Sequence, residues 1–172
     1  AARDRPIPIA RGQVTTQPSL IGQMVAALHM SGGERVLEVG TGLGFQTAIL
    51  AVLAGEVYSV ERFPDLAEAA RSNLAAAGIH GATVVVGDGT AGLPDRAPFD
   101  AIVVAAAAPA VPPPLAEQLA EGGRLVQPLG PGGDDLVTVF RKEAGALVRE
   151  RLVVPAHFVP LVGAHGLPHG PG

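Results

Sequence analysis

The chain predicts a doubly wound α/β sheet of about seven strands, mostly parallel, with an antiparallel hairpin after the fifth strand. Three observations carry that prediction. Short apolar runs alternate with helical patterns through the first two thirds of the chain, which places helices on both faces of a parallel sheet. A glycine turn, GTGLG (40–44), joins the first apolar run to the helical pattern that follows. Only LGPGGDD separates the fifth run from the sixth. Parallel neighbours need a crossover of about a dozen residues or more, so the sixth strand must turn back beside the fifth.

The elements follow in order. Residues 1–17 are polar and proline-bearing and read as an extended arm. Pro18 suits the first turn of a helix, with Thr16 or Gln17 near its cap. Leu20, Ile21, Met24, Val25 and Leu28 recur at helical spacing to about Met30. In strand 36–40, Val36, Leu37 and Val39 are apolar and mostly β-branched, as a strand buried in a parallel sheet would be. A helix over 45–54 and a strand over 56–61 come next. A further helix starts at Pro64 or Asp65 and stops at Gly78. ATVVVGD (82–88) and FDAIVVAA (99–106) are the third and fourth strands. PPPLAEQLA (112–120) is a short helix opened by prolines, before strands 123–130, 136–140 and 147–154. Residues 1–161 read as a single domain. The glycine- and proline-rich tail 162–172 is expected to be disordered.

Composition narrows the function. The 172 residues suffice for one domain with a buried core, and 16% charged residues is low. The formal net charge is −4 with no Lys/Arg cluster, which argues against a nucleic-acid partner, whose phosphates need neutralising. No cysteine is present, so disulfides, a thiolate nucleophile and Cys-based zinc sites are excluded. AIVVAAAAPAV (101–111) is too short to span a bilayer and contains Pro109. No signal peptide and no internal repeat is visible. His165 and His169 are four apart in the tail, where no rigid helix would hold them on a metal, so no metal site is expected. These features read as a cytoplasmic monomer.

The turn at 40–44 carries the chemistry. Gly40, Gly42 and Gly44 let the backbone bend sharply and let a ligand lie on bare main chain. The crevice at the carboxyl end of a parallel strand is the usual ligand site in open α/β sheets. The dinucleotide fingerprint needs Gly-x-Gly-x-x-Gly, and here the third glycine comes one residue early. No Gly-Lys-Ser/Thr follows, which excludes a P-loop. Glu38 places an acid where a pyrophosphate would be repelled. S-adenosyl-L-methionine has no phosphate and carries an ammonium and a sulfonium, so an acidic glycine turn suits it. Glu61 lies 21 residues after Gly40, where a carboxylate can accept both ribose hydroxyls.

The chain resembles the protein-L-isoaspartate O-methyltransferase family along nearly its whole length. The matching segments are GQVTTQPSL (12–20), VLEVGTGLGFQTAILA (36–51), SVER (59–62), GDG (87–89), APFDAIVVAAAAP (97–109), LAEGGRLVQPLG (119–130) and FVPL (158–161). The Gln-x-x-x-Gln-Pro arm, the Phe-Gln-Thr-Ala and the terminal Phe-Val-Pro-Leu are the more particular to this family. The resemblance implies a Rossmann-like methyltransferase sheet and S-adenosyl-L-methionine as cofactor. It implies repair methylation of isoaspartyl-containing proteins or peptides, away from nucleic acid and membrane. It extends the cofactor set to Thr41, Arg62, Asp88 and Gly89, with Asp88 on the adenine amino group. Thr16 is implied as the catalytic hydroxyl, and Val14, Thr15, His157, Val159, Pro160 and Leu161 as the acceptor wall, with Phe158. The family's serine stands as Thr16 here, the threonine two residues before it as Val14, and the arginine before Phe-Val-Pro-Leu as His157. The family's N-terminal helical segment has no counterpart in these residues.

A free carboxylate is ionised at neutral pH, with a reference pKa of about 3.5–4, so methylating it needs no general base. Orientation and exclusion of water must supply the catalysis. Several site residues keep a second reading, and Phe158, Val159, Pro160 and Leu161 also read as a hydrophobic return of the chain onto the core. Thr16 also suits a helix cap, and Asp88 can satisfy its own turn. Two other functions fit the same residues: esterification of a normal Asp in a peptide natural product, and a non-catalytic isoaspartyl-binding adaptor.

Overall fold

Alternating burial on both faces organises the sheet. In the computed structural model, which describes residues 4–168, seven strands run in the order β3-β2-β1-β4-β5-β6-β7. The elements are α1 (Pro18–Ala26), β1 (Arg35–Val39), α2 (Phe45–Leu53), β2 (Glu56–Glu61), α3 (Pro64–Ala76), β3 (Ala82–Val86), β4 (Phe99–Val104), α4 (Pro113–Gln118), β5 (Leu119–Leu129), β6 (Asp135–Glu143) and β7 (Ala146–Ala156). Neighbours from β3 to β5 pair parallel, and β6 pairs antiparallel with both β5 and β7. The short loop after the fifth strand therefore forms the expected hairpin.

Successive residues of a strand face opposite sides. Val36, Val103 and Val126 join one core layer with Met24 and Leu50. Leu37, Ile102 and Leu125 join the other with Phe99 and Leu115. Both faces of the central strands are thus covered, which explains why most of their residues are apolar.

Two boundaries differ most from the sequence expectation. The first helix ends at Ala26 rather than Met30, and His29 beyond it adopts a left-handed backbone, φ 51°. The fifth strand begins at Leu119, not at 123, with a register shift between Phe99 and Ala101 where it meets β4. A Cβ on Gly123 would lie 2.7 Å from the Asp100 carbonyl oxygen, so only glycine allows that approach. Beyond Leu161 the chain folds back on itself from Val162 to Pro168. Val162 bridges to Leu167, and the Leu167 N–H donates to the Leu161 carbonyl at 2.7 Å. Gly163 and Gly166 make this possible, because a Cβ on either would collide with Asp88 or with the Leu161 carbonyl. His169 lies outside the described residues.

The N-terminal arm also supplies a cap. Gln17 is the N-cap of α1 and makes no side-chain capping bond. Asp4 takes that place, accepting from the Ser19 N–H at 2.9 Å and its hydroxyl at 2.6 Å. The cap role therefore does not fall to Thr16.

Candidate active site

The sheet order reverses between β1 and β4, and the glycine turn leaves β1 at that point. Gly40 has φ 94° and Gly44 φ 88°, backbone conformations that side chains resist. The turn is fixed from the next strand. Glu61, 6% exposed at the end of β2, accepts from the Gly42 N–H at 2.8 Å and from the Phe63 N–H at 3.0 Å. Each carboxylate oxygen keeps a further lone pair, so Glu61 can hold the turn and still accept from a ligand hydroxyl.

Glu38 departs from its expected role as a cofactor contact. It is fully buried beneath the turn and lines none of the cavities around it. Its Oε1 accepts from the hydroxyls of Thr47 and Ser59, and Ser59 in turn bonds the Thr41 hydroxyl. Burial pushes its carboxyl up to about 7, against the pull of the Ser59 and Thr47 hydroxyls and with a push from the Glu61 charge. The chain Thr41–Ser59–Glu38 braces the turn from inside the core. Thr41 therefore serves the brace with its side chain and also lines the small pocket over the turn.

Asp88 follows β3 and satisfies its own turn. Its Oδ1 accepts from the Thr90 N–H at 2.9 Å and the Thr90 hydroxyl at 2.6 Å, as a turn-satisfying aspartate would. Its Oδ2 accepts from the Ala164 N–H of the tail at 2.9 Å and faces a cleft beside Arg62. Burial raises its carboxyl, but the bonds from Thr90 and Ala164 outweigh that and hold it below the usual range. Arg62 also lies over the Phe63 ring, 4.8 Å from its centroid. Gly89 is needed for packing: a Cβ there would collide with Val39.

The acceptor residues gather on the same side. A cavity of about 270 Å³ is lined by Val14, Thr15, Thr16, His157, Phe158 and Val159. A second, of about 470 Å³, runs past Gly40, Glu61, Arg62, Gly89 and Pro160. A small pocket between them is lined by Thr16, Gly40, Glu61, Ala105 and Val159. The Thr15 hydroxyl is turned to the arm itself, accepting from the Ile7 N–H at 2.9 Å. Leu161 differs from the expected wall residue: at 4% exposed it belongs mainly to the core, and its N–H donates to Ala107 at 2.7 Å.

Two site residues escaped the sequence reading. Gln46 is buried against the small pocket, and a polar residue in the apolar helix FQTAILAVL was its signal. Asp135 is 3% exposed and accepts from Gly132, Gly133 and Phe158 N–H groups at 2.9, 2.9 and 3.1 Å. No local pattern marks it.

Comparison with known proteins agrees with this geometry. The family model described as Protein-L-isoaspartate(D-aspartate) O-methyltransferase (PCMT) matches residues 1–166. The protein-L-isoaspartate O-methyltransferase of Methanoculleus marisnigri is 51% identical over 167 residues, covering 96% of this chain and 75% of its own length. That of Aeropyrum pernix is 50% identical over 170 residues, covering 96% of this chain and 65% of its own. A solved protein-L-isoaspartate O-methyltransferase structure superposes with TM-score 0.83 at 29% identity, over 93% of this chain and 52% of that one. A Plasmodium falciparum structure in complex with S-adenosyl-L-homocysteine shares the fold, with TM-score 0.79 at 23% identity over 93% of this chain and 81% of that one. The chain thus belongs to the protein-L-isoaspartate O-methyltransferase family of S-adenosylmethionine-dependent carboxyl methyltransferases.

Proposed function

We propose that this chain methylates L-isoaspartyl carboxylates with the cofactor laid over the Gly40–Gly44 turn and the acceptor held between the arm and residues 157–161. The observation that carries this placement is that Thr16 lines both the acceptor cavity and the pocket over the turn. Glu61 would hold the ribose hydroxyls and Asp88, with Arg62 beside it, the adenine end.

When bound, S-adenosylmethionine supplies a methyl on a sulfonium sulfur; transfer breaks that C–S bond, forms an O–C bond and leaves a neutral thioether and a neutral ester. The chain's own residues orient and dry the nucleophile. The Thr16 hydroxyl donates one hydrogen bond to the acceptor carboxylate, which aims it without fully solvating it. Val14, Phe158 and Val159 keep water from its other side. No residue needs to remove a proton.

We propose a monomer as the working unit, measured by light scattering. Its proposed compartment is the cytoplasm, tested by fractionation. Among the described residues no helix is long and apolar enough to cross a membrane. The decisive assay is methyl transfer to an isoaspartyl peptide beside its normal Asp twin. A large preference for the isoaspartyl peptide is expected. Equal rates would favour a natural-product aspartate as acceptor, and no transfer to either would favour a binding adaptor.

A further inference from the structure

Gln46 occupies the second position of α2. It is 6% exposed, and the Nε2 of its amide is buried with no hydrogen-bond partner. Buried donors left unpaired are rare in native proteins and call for an explanation. The nearby carboxylate of Glu61 already accepts from two backbone N–H groups. Glu38 Oε2 is also unpaired, but it lies below the turn and outside the cavity. Gln46 instead lines the small pocket together with Gly40, Gly42 and Thr16.

The same corner receives the N-terminal end of α2, a nine-residue helix whose first N–H groups point out of its axis. A helix N-terminus favours negative charge, and an amide NH₂ can only donate. Together they select an anionic acceptor group. The Glu61 carboxylate lining the same pocket disfavours a polyanion such as a phosphate, which leaves a single carboxylate. Gln46 is absent from the lining of the acceptor cavity around His157.

We propose that Gln46 binds the carboxylate at the amino-acid end of the cofactor, its amide and the start of α2 closing on that group. This rests on the cofactor lying over the Gly40–Gly44 turn. Gln46 is then a cofactor-binding residue that fixes where the methyl donor stops along the turn.

Calorimetry with two ligands separates this role from others. S-adenosylhomocysteine carries the carboxylate; 5′-methylthioadenosine keeps the adenosine and the sulfur but lacks the amino-acid end. Gln46→Leu removes the donor at similar volume. It should weaken S-adenosylhomocysteine roughly 10- to 150-fold, the range for one hydrogen bond to a charged group, and leave methylthioadenosine within about twofold. Retained methylthioadenosine binding also shows that the variant is folded. Gln46→Glu should weaken S-adenosylhomocysteine further, by placing charge against charge. Unchanged S-adenosylhomocysteine affinity, or an equal loss of both ligands, would overturn the proposal. So would unchanged affinity with a raised KM for the isoaspartyl peptide, which would hand the amide to the acceptor. Glu61→Ala tests the underlying placement separately, since it should weaken both ligands alike.

Discussion

Thr16 and Thr15 stand side by side, and their hydroxyls divide the work of the arm. Thr15 closes the arm on Ile7, which leaves Thr16 facing the pockets on either side of it. Because Asp4 caps α1, removing the Thr16 hydroxyl should not unpick the helix. Thr16→Val keeps the side-chain shape and deletes the donor. One lost bond to a carboxylate is worth about 1.5–3 kcal/mol, so methyl transfer should fall roughly 10- to 200-fold. S-adenosylhomocysteine affinity should hold, and Thr16→Ser should be near neutral. A wild-type rate in Thr16→Val, with a lowered melting temperature, would return the residue to a purely structural role. Sequence alone left cap and catalysis open here. The residue that decides between them lies a dozen positions upstream, beyond any capping pattern.

Between elements, the joint that matters is the one Asp135 makes. Its carboxylate, at the first residue of β6, gathers the glycine loop after β5 and the backbone of Phe158. A Cβ on Gly132 in that loop would sit 2.8 Å from the Pro160 ring, so loop and acceptor wall are pressed together. Asp135→Asn turns one acceptor oxygen into a donor facing two N–H groups. The cost should be about 1–3 kcal/mol of stability, seen as a lower melting temperature. KM for the isoaspartyl peptide should rise severalfold while S-adenosylhomocysteine affinity stays put. An unchanged KM would detach the clamp from the acceptor wall. The hairpin itself was readable, because seven connecting residues cannot carry a parallel crossover. The clamp was not: it joins residues 23 apart in sequence, and no periodicity encodes such a pair.

Across the molecule, one acid under the turn links stability to pH. Glu38 is pushed up to about 7 in the fold from an ordinary 4.5. Between those values the folded state keeps a proton that the unfolded chain has released. Its stability must therefore fall as pH rises through that interval, and the full cost is present above about 7. Glu38→Gln stays neutral, and its oxygen can still accept from Thr47 and Ser59. The stability of the variant relative to the parent should grow with pH, by up to about 1.4 kcal/mol per unit across the interval. Thermal melts of both proteins from about pH 5 to pH 8 measure this, and parallel curves would place the raised value elsewhere. At this scale the sheet was legible from β/α alternation, and the cofactor corner from glycine spacing and the acid at Glu61. Burial was the part that stayed hidden. Glu38 and Glu61 look alike as letters, but the first points into the core and the second into the cleft, and the pleat of neighbouring strands decides which.

The ordered end of the chain has a consequence for synthesis. All seven strands are in place by Ala156, but the acceptor wall and the segment bonded to Asp88 come afterwards, between His157 and Pro168. The opposite rim, Val14 to Thr16, precedes every strand in sequence. A nascent chain therefore carries one side of its cleft while all seven strands are made and receives the other side only after β7. The sheet can form before the site is complete. A premature stop or a nick just after β7 would leave a well-formed sheet with no floor for its substrate.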